Sequence, residues 1–104
     1  MKVRVYFCKE AYAELLFKDS KISMQNLDSL YDLVWESEFK NILNVGRVWL
    51  KFKEEDKPFG IPLRGKRNHS KISPGDVIQI GVDYYLVNSI GAKRLKFVSS
   101  MSAE

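Results

Sequence analysis

Residues 69–78 of this 104-residue chain read His69-Ser70-Lys71-Ile72-Ser73-Pro74-Gly75-Asp76-Val77-Ile78, and residues 84–91 read Tyr84-Tyr85-Leu86-Val87-Asn88-Ser89-Ile90-Gly91. Pro74-Gly75-Asp76 predicts a turn, because proline has a fixed φ and glycine can adopt a positive one. Residues 77–80 then predict a strand, 81–83 a tight connection, 84–88 the returning strand, and 92–98 a last strand after Gly91. The second half of the chain therefore predicts a three-strand antiparallel meander.

The first half of the chain predicts alternating strands and helices. Residues 2–7 alternate polar and apolar, which is typical of a half-buried strand, whereas residues 9–18 have the i, i+3, i+4 apolar spacing of a helix. Residues 27–39 fit either element, and their content of β-forming residues favours a strand over residues 31–38. Between the helix at residues 9–18 and the strand at residues 31–38, residues 23–28 predict a turn or a single helical turn.

A second helix is predicted to begin near Ser37 or Lys40, with Ile42, Val45 and Trp49 as its buried stripe. Gly46 would end this helix or lie near its last turn, and residues 48–53 also fit an extended run, so both readings stay open. Residues 53–70 then predict a long loop, because prolines and glycines interrupt a charged segment. The glycines and prolines in question are Pro58, Gly60, Pro62 and Gly65.

These elements predict an α+β fold: one small domain over residues 1–98 in the order β-α-β-α, then the meander, with the helices on one face of the sheet. A chain of this length closes one core. Residues 99–104 predict a flexible tail. Strand order does not follow from the pattern, and an exposed sheet edge would allow a homodimer.

Composition and the opening residues predict a cytoplasmic protein. No apolar run approaches the roughly 20 residues that a membrane helix requires, and the opening residues do not resemble a signal peptide. The lone Cys8 agrees with a reducing compartment. Charges balance within residues 1–50, so the formal net charge of +4 belongs to residues 51–104.

The candidate binding residues are the basic side chains of this second half. Lysine and arginine clustered with glycine and asparagine can follow a phosphate backbone or face an acidic protein surface. The alternative is a solvated loop that maintains solubility, and lysine on an edge strand can also serve only to prevent aggregation. The candidates are Arg64, Lys66, Arg67, His69 and Lys71 in the loop, and Lys93, Arg94 and Lys96 in the last strand.

The stretch from His69 to Ile78 resembles the C-terminal signature H-[ST]-x-x-S-x-G-D-V-I, followed by Y-x-V-x-S-x-G, of short bacterial, phage and plasmid proteins, some labelled YodL-like. Gly46-Arg47-Val48-Trp49 looks like the G-x-x-W that ends a helix in that family. Residues 50–53 and Ala92 depart from its pattern. The resemblance implies a mobile-element setting and no enzymatic residues.

No residue set predicts catalysis, a metal site or a cofactor. Cys8 with His69 lacks a third orienting group, and one cysteine and one histidine do not fill a zinc shell. Glu54-Glu55-Asp56 lacks the alternating ligand spacing of a calcium loop. Trp35 and Trp49 are expected in the core, although an exposed Trp35 would be a partner-binding anchor.

The sequence therefore predicts a small non-enzymatic accessory protein of phage or mobile-element type, which binds a host or defence macromolecule stoichiometrically. A protein is the expected partner. Basic nucleic-acid binding is one alternative. Another is an RNA-directed toxin of the RelE type, suggested by residues 62–65 and 91–94, although residues 77–80 lack the arginine and tyrosine that such toxins carry.

Overall fold

A computed structural model describes residues 1–8, 21–23, 31–41, 44–65, 71–88 and 90–98 of the chain. In these ranges the strands are β1 (Lys2–Cys8), β2 (Lys21–Ser23), β3 (Tyr31–Glu38), β4 (Val77–Ile80), β5 (Asp83–Asn88), β6 (Gly91–Arg94) and β7 (Lys96–Val98). One α-helix, α1, spans Val45–Glu54, and a short 3-10 turn spans Pro58–Gly60. The predicted helix at 9–18 and the tail at 99–104 lie outside the described residues. Of the turn predicted over residues 23–28, only Ser23 is described, and it belongs to β2.

The main sheet has five strands in the order β3-β1-β4-β5-β6, and every neighbouring pair is antiparallel. β2 and β7 form a separate parallel pair. Among the described residues, a five-stranded antiparallel sheet with one α-helix makes this a small α+β domain. The sheet is wider than the meander predicted from the second half of the chain, because β1 inserts between β3 and β4 and so joins the two halves.

The two faces of the sheet carry separate cores. Val3 and Val5 of β1 lie opposite Ile80 and Ile78 of β4, and all four are buried on the face that packs against α1. Since successive residues of a strand point to opposite faces, Val77 and Leu86 belong to a second, smaller core on the other side. The remaining buried members of that second core are Cys8, Tyr31 and Leu95.

The predicted strand over residues 31–38 is confirmed, and a bulge explains its mixed periodicity. Val5 pairs with Trp35 and Tyr6 with Leu33, which leaves Val34 as an extra residue on β3. A bulge of this kind lets two consecutive residues face the same side. Val34 and Trp35 are both buried in the larger core, which accounts for the apolar spacing that also fitted a helix.

The second helix begins later than the sequence indicated. Its N-cap is Asn44, whose Oδ1 accepts a hydrogen bond from the backbone N–H of Gly46 at 2.7 Å. The expected start near Ser37 or Lys40 is wrong because β3 stays paired with β1 through Glu38. Gly46 therefore lies in the first turn, not the last, and the extended reading of residues 48–53 is also wrong.

The buried stripe of α1 also differs from the expected one. Val48 and Phe52, one helical turn apart, are its fully buried residues. Val45 and Trp49 are only partly buried at the margin of the core, and Ile42 lies outside the described residues. The spacing of these four α1 residues places them on one face of the helix, and the core packs most closely against the side that carries Val48 and Phe52.

The predicted last strand is divided into two. β6 ends at Arg94, and Leu95 donates its backbone N–H to the carbonyl of Tyr84 at 2.8 Å. The next residue, Lys96, would lie opposite Asp83, which is the first residue of β5. β6 therefore has no further β5 residues with which to pair. Leu95 turns into the second core, and β7 pairs with β2 instead of continuing the main sheet.

Candidate functional site

The Gly75-Asp76 turn that marks the sequence is a structural element. Asp76 is 1% exposed, and its two carboxylate oxygens accept hydrogen bonds from the backbone N–H groups of Cys8 and Ser73, both at 2.8 Å. The hydroxyl of Tyr31 donates to the carbonyl of Gly75 at 2.7 Å. The carboxylate therefore holds the end of β1, the turn and β4 together, which leaves the turn with a positioning role and no reactive group.

Burial raises the pKa of Tyr31 well above its ordinary value, with smaller contributions from Cys8 and Asp76. A raised pKa stabilises the folded state below the unfolded pKa of about 10, and this stabilisation is lost as the pH rises further, because only the unfolded chain can release the proton easily. We expect the free energy of unfolding to fall by about 1.4 kcal/mol per pH unit above pH 10 through this group alone.

Urea unfolding followed by circular dichroism between pH 8 and 11.5 measures this effect. Tyr31→Phe should be less stable than the wild type at pH 8, since the Gly75 carbonyl loses its donor, and the difference should shrink as the pH rises. A difference that stays constant up to pH 11.5 would contradict the assignment.

Arg64 lies beside β3 at one end of the sheet. Its backbone N–H donates to the carbonyl of Val34 at 2.8 Å, and its side chain is exposed. The guanidinium of Arg4, hydrogen-bonded to Glu36, lowers the pKa of that carboxyl group, and the nearby charges of Lys2 and Arg64 lower it further. Arg64 is thus close to Glu36, an acidic side chain that already lies near the positive charges of Arg4 and Lys2.

Lys71 is held at the C-terminal end of α1. Its Nζ lies 2.9 Å from a carboxylate oxygen of Asp56 and 3.5 Å from the carbonyl oxygen of Glu54. The hydrogen bond from Lys71 lowers the pKa of Asp56. Glu55 pairs in the same way with Lys51 at 2.9 Å. The carboxylates of Glu55 and Asp56 are therefore engaged with lysines, and the described residues contain no group of three or more metal-ligating side chains.

Lys93 and Arg94 lie on β6, at the opposite end of the sheet from Arg64. Arg94 reaches Asp83 of the adjacent strand at 2.7 Å, with its side chain still 71% exposed, and Lys93 is exposed. Four strand spacings, about 19 Å along the sheet, separate β6 from β3. Lys66, Arg67 and His69 lie outside the described residues, as does the side chain of Lys96. The described candidates are thus distributed over three places, and the adjacent pair is Lys93 with Arg94.

The two edges of the sheet differ in how they are covered. Along β3, the segment 61–64 follows the strand: besides the Arg64 contact, the indole Nε1 of Trp35 donates to the carbonyl of Ile61 at 3.1 Å. Along the outer side of β6, none of the described residues forms a backbone pairing, although α1 approaches β6 more closely than it approaches the other strands of the main sheet. An uncovered strand edge presents free backbone donors and acceptors that can pair with another chain.

The backbone groups on that open edge can be assigned. In an antiparallel pair, alternate residues direct their N–H and C=O groups toward the neighbouring strand. Leu95 donates to Tyr84, so Lys93 and Gly91 also face β5. Ala92 and Arg94 therefore direct their N–H and C=O groups outward. The sequence analysis identified the cations of this strand but not Ala92. The contribution of Ala92 is its outward backbone N–H and C=O, and which residues point outward is set by the pairing of β6 with β5.

Two proline substitutions test this phase. Proline lacks an N–H, so Ala92→Pro removes an outward donor that no described residue uses, whereas Lys93→Pro removes a donor of the β5–β6 ladder. We expect Lys93→Pro to lower the free energy of unfolding by about 3 kcal/mol, and Ala92→Pro by about 1 kcal/mol or less. Urea titrations of both variants measure the difference. Equal losses would contradict the assigned phase.

Trp35 is 1% exposed, so it is not a partner-binding anchor. Its ring contacts those of Phe52, Phe39 and Phe59, with the nearest centroid, that of Phe52, at 5.0 Å. Cys8 is buried in the second core beside Tyr31. These side chains stabilise the two cores and leave the open edge as the candidate functional site.

Comparisons of this chain with protein-family models, curated proteins and solved structures find no match. Among the described residues, no helix has the length and apolar character needed to cross a membrane.

Proposed function

We propose that this protein is a small non-enzymatic accessory protein of phage or mobile-element type, which acts in the bacterial cytoplasm by stoichiometric binding to a host or defence protein. The outer edge of β6 is the binding site, and the partner adds a strand to the sheet there. Backbone hydrogen bonds to an edge strand are a common mode of peptide recognition.

The observation that carries this proposal is the contrast between the two edges. The backbone N–H of Arg64 bonds to β3 at Val34, and the buried indole of Trp35 holds Ile61 nearby, whereas no described residue forms a backbone pairing with the outer side of β6. Proteins usually protect sheet edges, so an edge of this kind is a natural place for a partner. The resemblance of residues 69–91 to phage and plasmid proteins supports the biological setting.

Nucleic-acid binding is the alternative, and the charge arrangement supports it less. Arg64, Lys71 and Arg94 each lie near an acidic side chain, which reduces the charge available to a phosphate backbone. Nucleic-acid binding would show a steep loss of affinity with added salt, because phosphate contacts release counterions.

Parallel affinity captures from a nuclease-treated bacterial lysate test the proposed function. The baits are the wild type, Ala92→Pro, and Val82→Pro, which places a proline in the exposed turn between β4 and β5. We expect one protein recovered at equimolar yield by the wild type and by Val82→Pro, and lost with Ala92→Pro. Equal recovery by all three baits, or recovery of no protein at equimolar yield by the wild type, would overturn the proposal.

A further inference from the structure

We infer that the segment received by β6 is an extended peptide with two adjacent acidic residues, which pair with Lys93 and Arg94. This inference rests on the proposed function, because it assumes that the partner adds a strand at the β6 edge. It specifies the chemistry of that strand.

The two cations lie on opposite faces of the sheet edge. Successive side chains of a strand alternate, so Lys93 points to the face of Leu86, its partner in the register, and Arg94 to the face of Tyr85. The two residues of an added strand that lie opposite them are also consecutive. One acidic side chain would therefore meet Lys93 on one face, and its neighbour would meet Arg94 on the other.

Both cations can accept such a partner. No ion pair joins Lys93 to any described acidic residue, and its side chain is exposed. Arg94 uses one guanidinium nitrogen toward Asp83 at 2.7 Å, and a guanidinium carries five N–H donors. The remaining donors of Arg94 are therefore open to a second carboxylate.

A second copy of this chain is a poorer occupant of the same edge. Pairing two β6 strands would place Lys93 and Arg94 of both copies along a ladder of only four residues. Like charges directly across a ladder are destabilising, whereas opposite charges are stabilising. The charge of the edge thus disfavours self-association and favours an acidic segment.

Synthetic peptides test the inference directly. Three nine-residue peptides of alternating threonine and valine differ only at positions 5 and 6. These two positions are Glu-Glu, Gln-Gln or Lys-Lys. Fluorescence anisotropy of labelled peptides gives their Kd for the wild type, Ala92→Pro and Lys93→Glu. Thermal melts of both variants confirm that they are folded.

We expect the Glu-Glu peptide to bind about tenfold more tightly than the Gln-Gln peptide at 0.05 M salt, from two cross-strand charge pairs. The advantage should shrink toward 0.5 M salt, as screening requires. Ala92→Pro should abolish binding of both peptides, and Lys93→Glu should lower the Glu-Glu advantage and improve binding of the Lys-Lys peptide.

The other outcomes separate this inference from the proposed function. Equal binding of Glu-Glu and Gln-Gln peptides, both lost in Ala92→Pro, overturns the acidic segment and leaves the edge as a site. Binding that Ala92→Pro does not alter overturns both. A dimer in sedimentation equilibrium that Ala92→Pro dissociates, or tighter binding of a ten-nucleotide single strand than of the Glu-Glu peptide, assigns the edge to another occupant.

Discussion

Asp76→Ala is expected to cause the largest loss of stability of any single substitution considered, about 3–6 kcal/mol. The substitution removes the acceptor of two backbone N–H groups, those of Cys8 and Ser73. Hydrogen bonds to a charged acceptor contribute about 1.5–3 kcal/mol each, so their joint loss of about 3–6 kcal/mol approaches the total stability of a small domain. Circular dichroism at 25 °C and urea titration measure the loss.

Two further variants make this prediction specific. Asp83→Ala removes an exposed aspartate that pairs with Arg94, so it should cost about 1 kcal/mol or less. Asp76→Asn keeps the volume but turns an amide donor toward one of the two N–H groups, so it should be almost as damaging as alanine. If Asp76→Ala proves no more harmful than Asp83→Ala, the turn does not depend on its carboxylate.

Trp35→Ala should be the second most damaging substitution, at about 3–5 kcal/mol, because it empties the centre of the aromatic cluster in the larger core. Trp49→Ala is the matched control, since Trp49 is only partly buried and lies at the margin of the same core. We expect a clearly smaller loss for it. Comparable losses would contradict the central position of Trp35.

Trp35→Phe separates core packing from edge cover. It keeps a ring in the cluster but removes the indole donor to the Ile61 carbonyl, so the segment 61–64 should detach more easily from β3. We expect faster hydrogen exchange of the Arg64 amide, which bonds the Val34 carbonyl, and little change at the β6 amides. Unchanged Arg64 exchange would show that the indole bond does not hold this segment.

Local pattern predicted the strands of this fold better than its helix. The alternation in residues 2–7 and the β-forming residues at 31–38 correspond to β1 and β3. The match is close because these two strands pair with each other over their whole length. The start of α1 was mistaken because Glu38 suits a helix N-terminus by charge, whereas Asn44 supplies the actual cap. A charge preference near a helix is weaker than continued pairing of an adjacent strand.

The candidate site was only partly predictable, for a different reason. Lys93 and Arg94 were recognised by charge, but an open edge is a property of strand order, which depends on β1 pairing with β4 across most of the chain. The same long-range order separates Arg64 from β6. The spacing of residues around Arg64 or within β6 contains no information about that separation. The sequence therefore identified these cations as candidates but did not predict that they lie at opposite edges of the sheet.

The pairing of β1 with β4 also sets the order of assembly. β4, β5 and β6 are joined by short turns and can pair early, whereas β1 must close a loop that spans most of the sequence, which is slow. Until β1 docks, the nascent hairpins have two free sides, and both invite aggregation. We expect the lysine and arginine of β6 to oppose aggregation during this interval, so the charges that we propose for partner selection would also protect the chain while it folds.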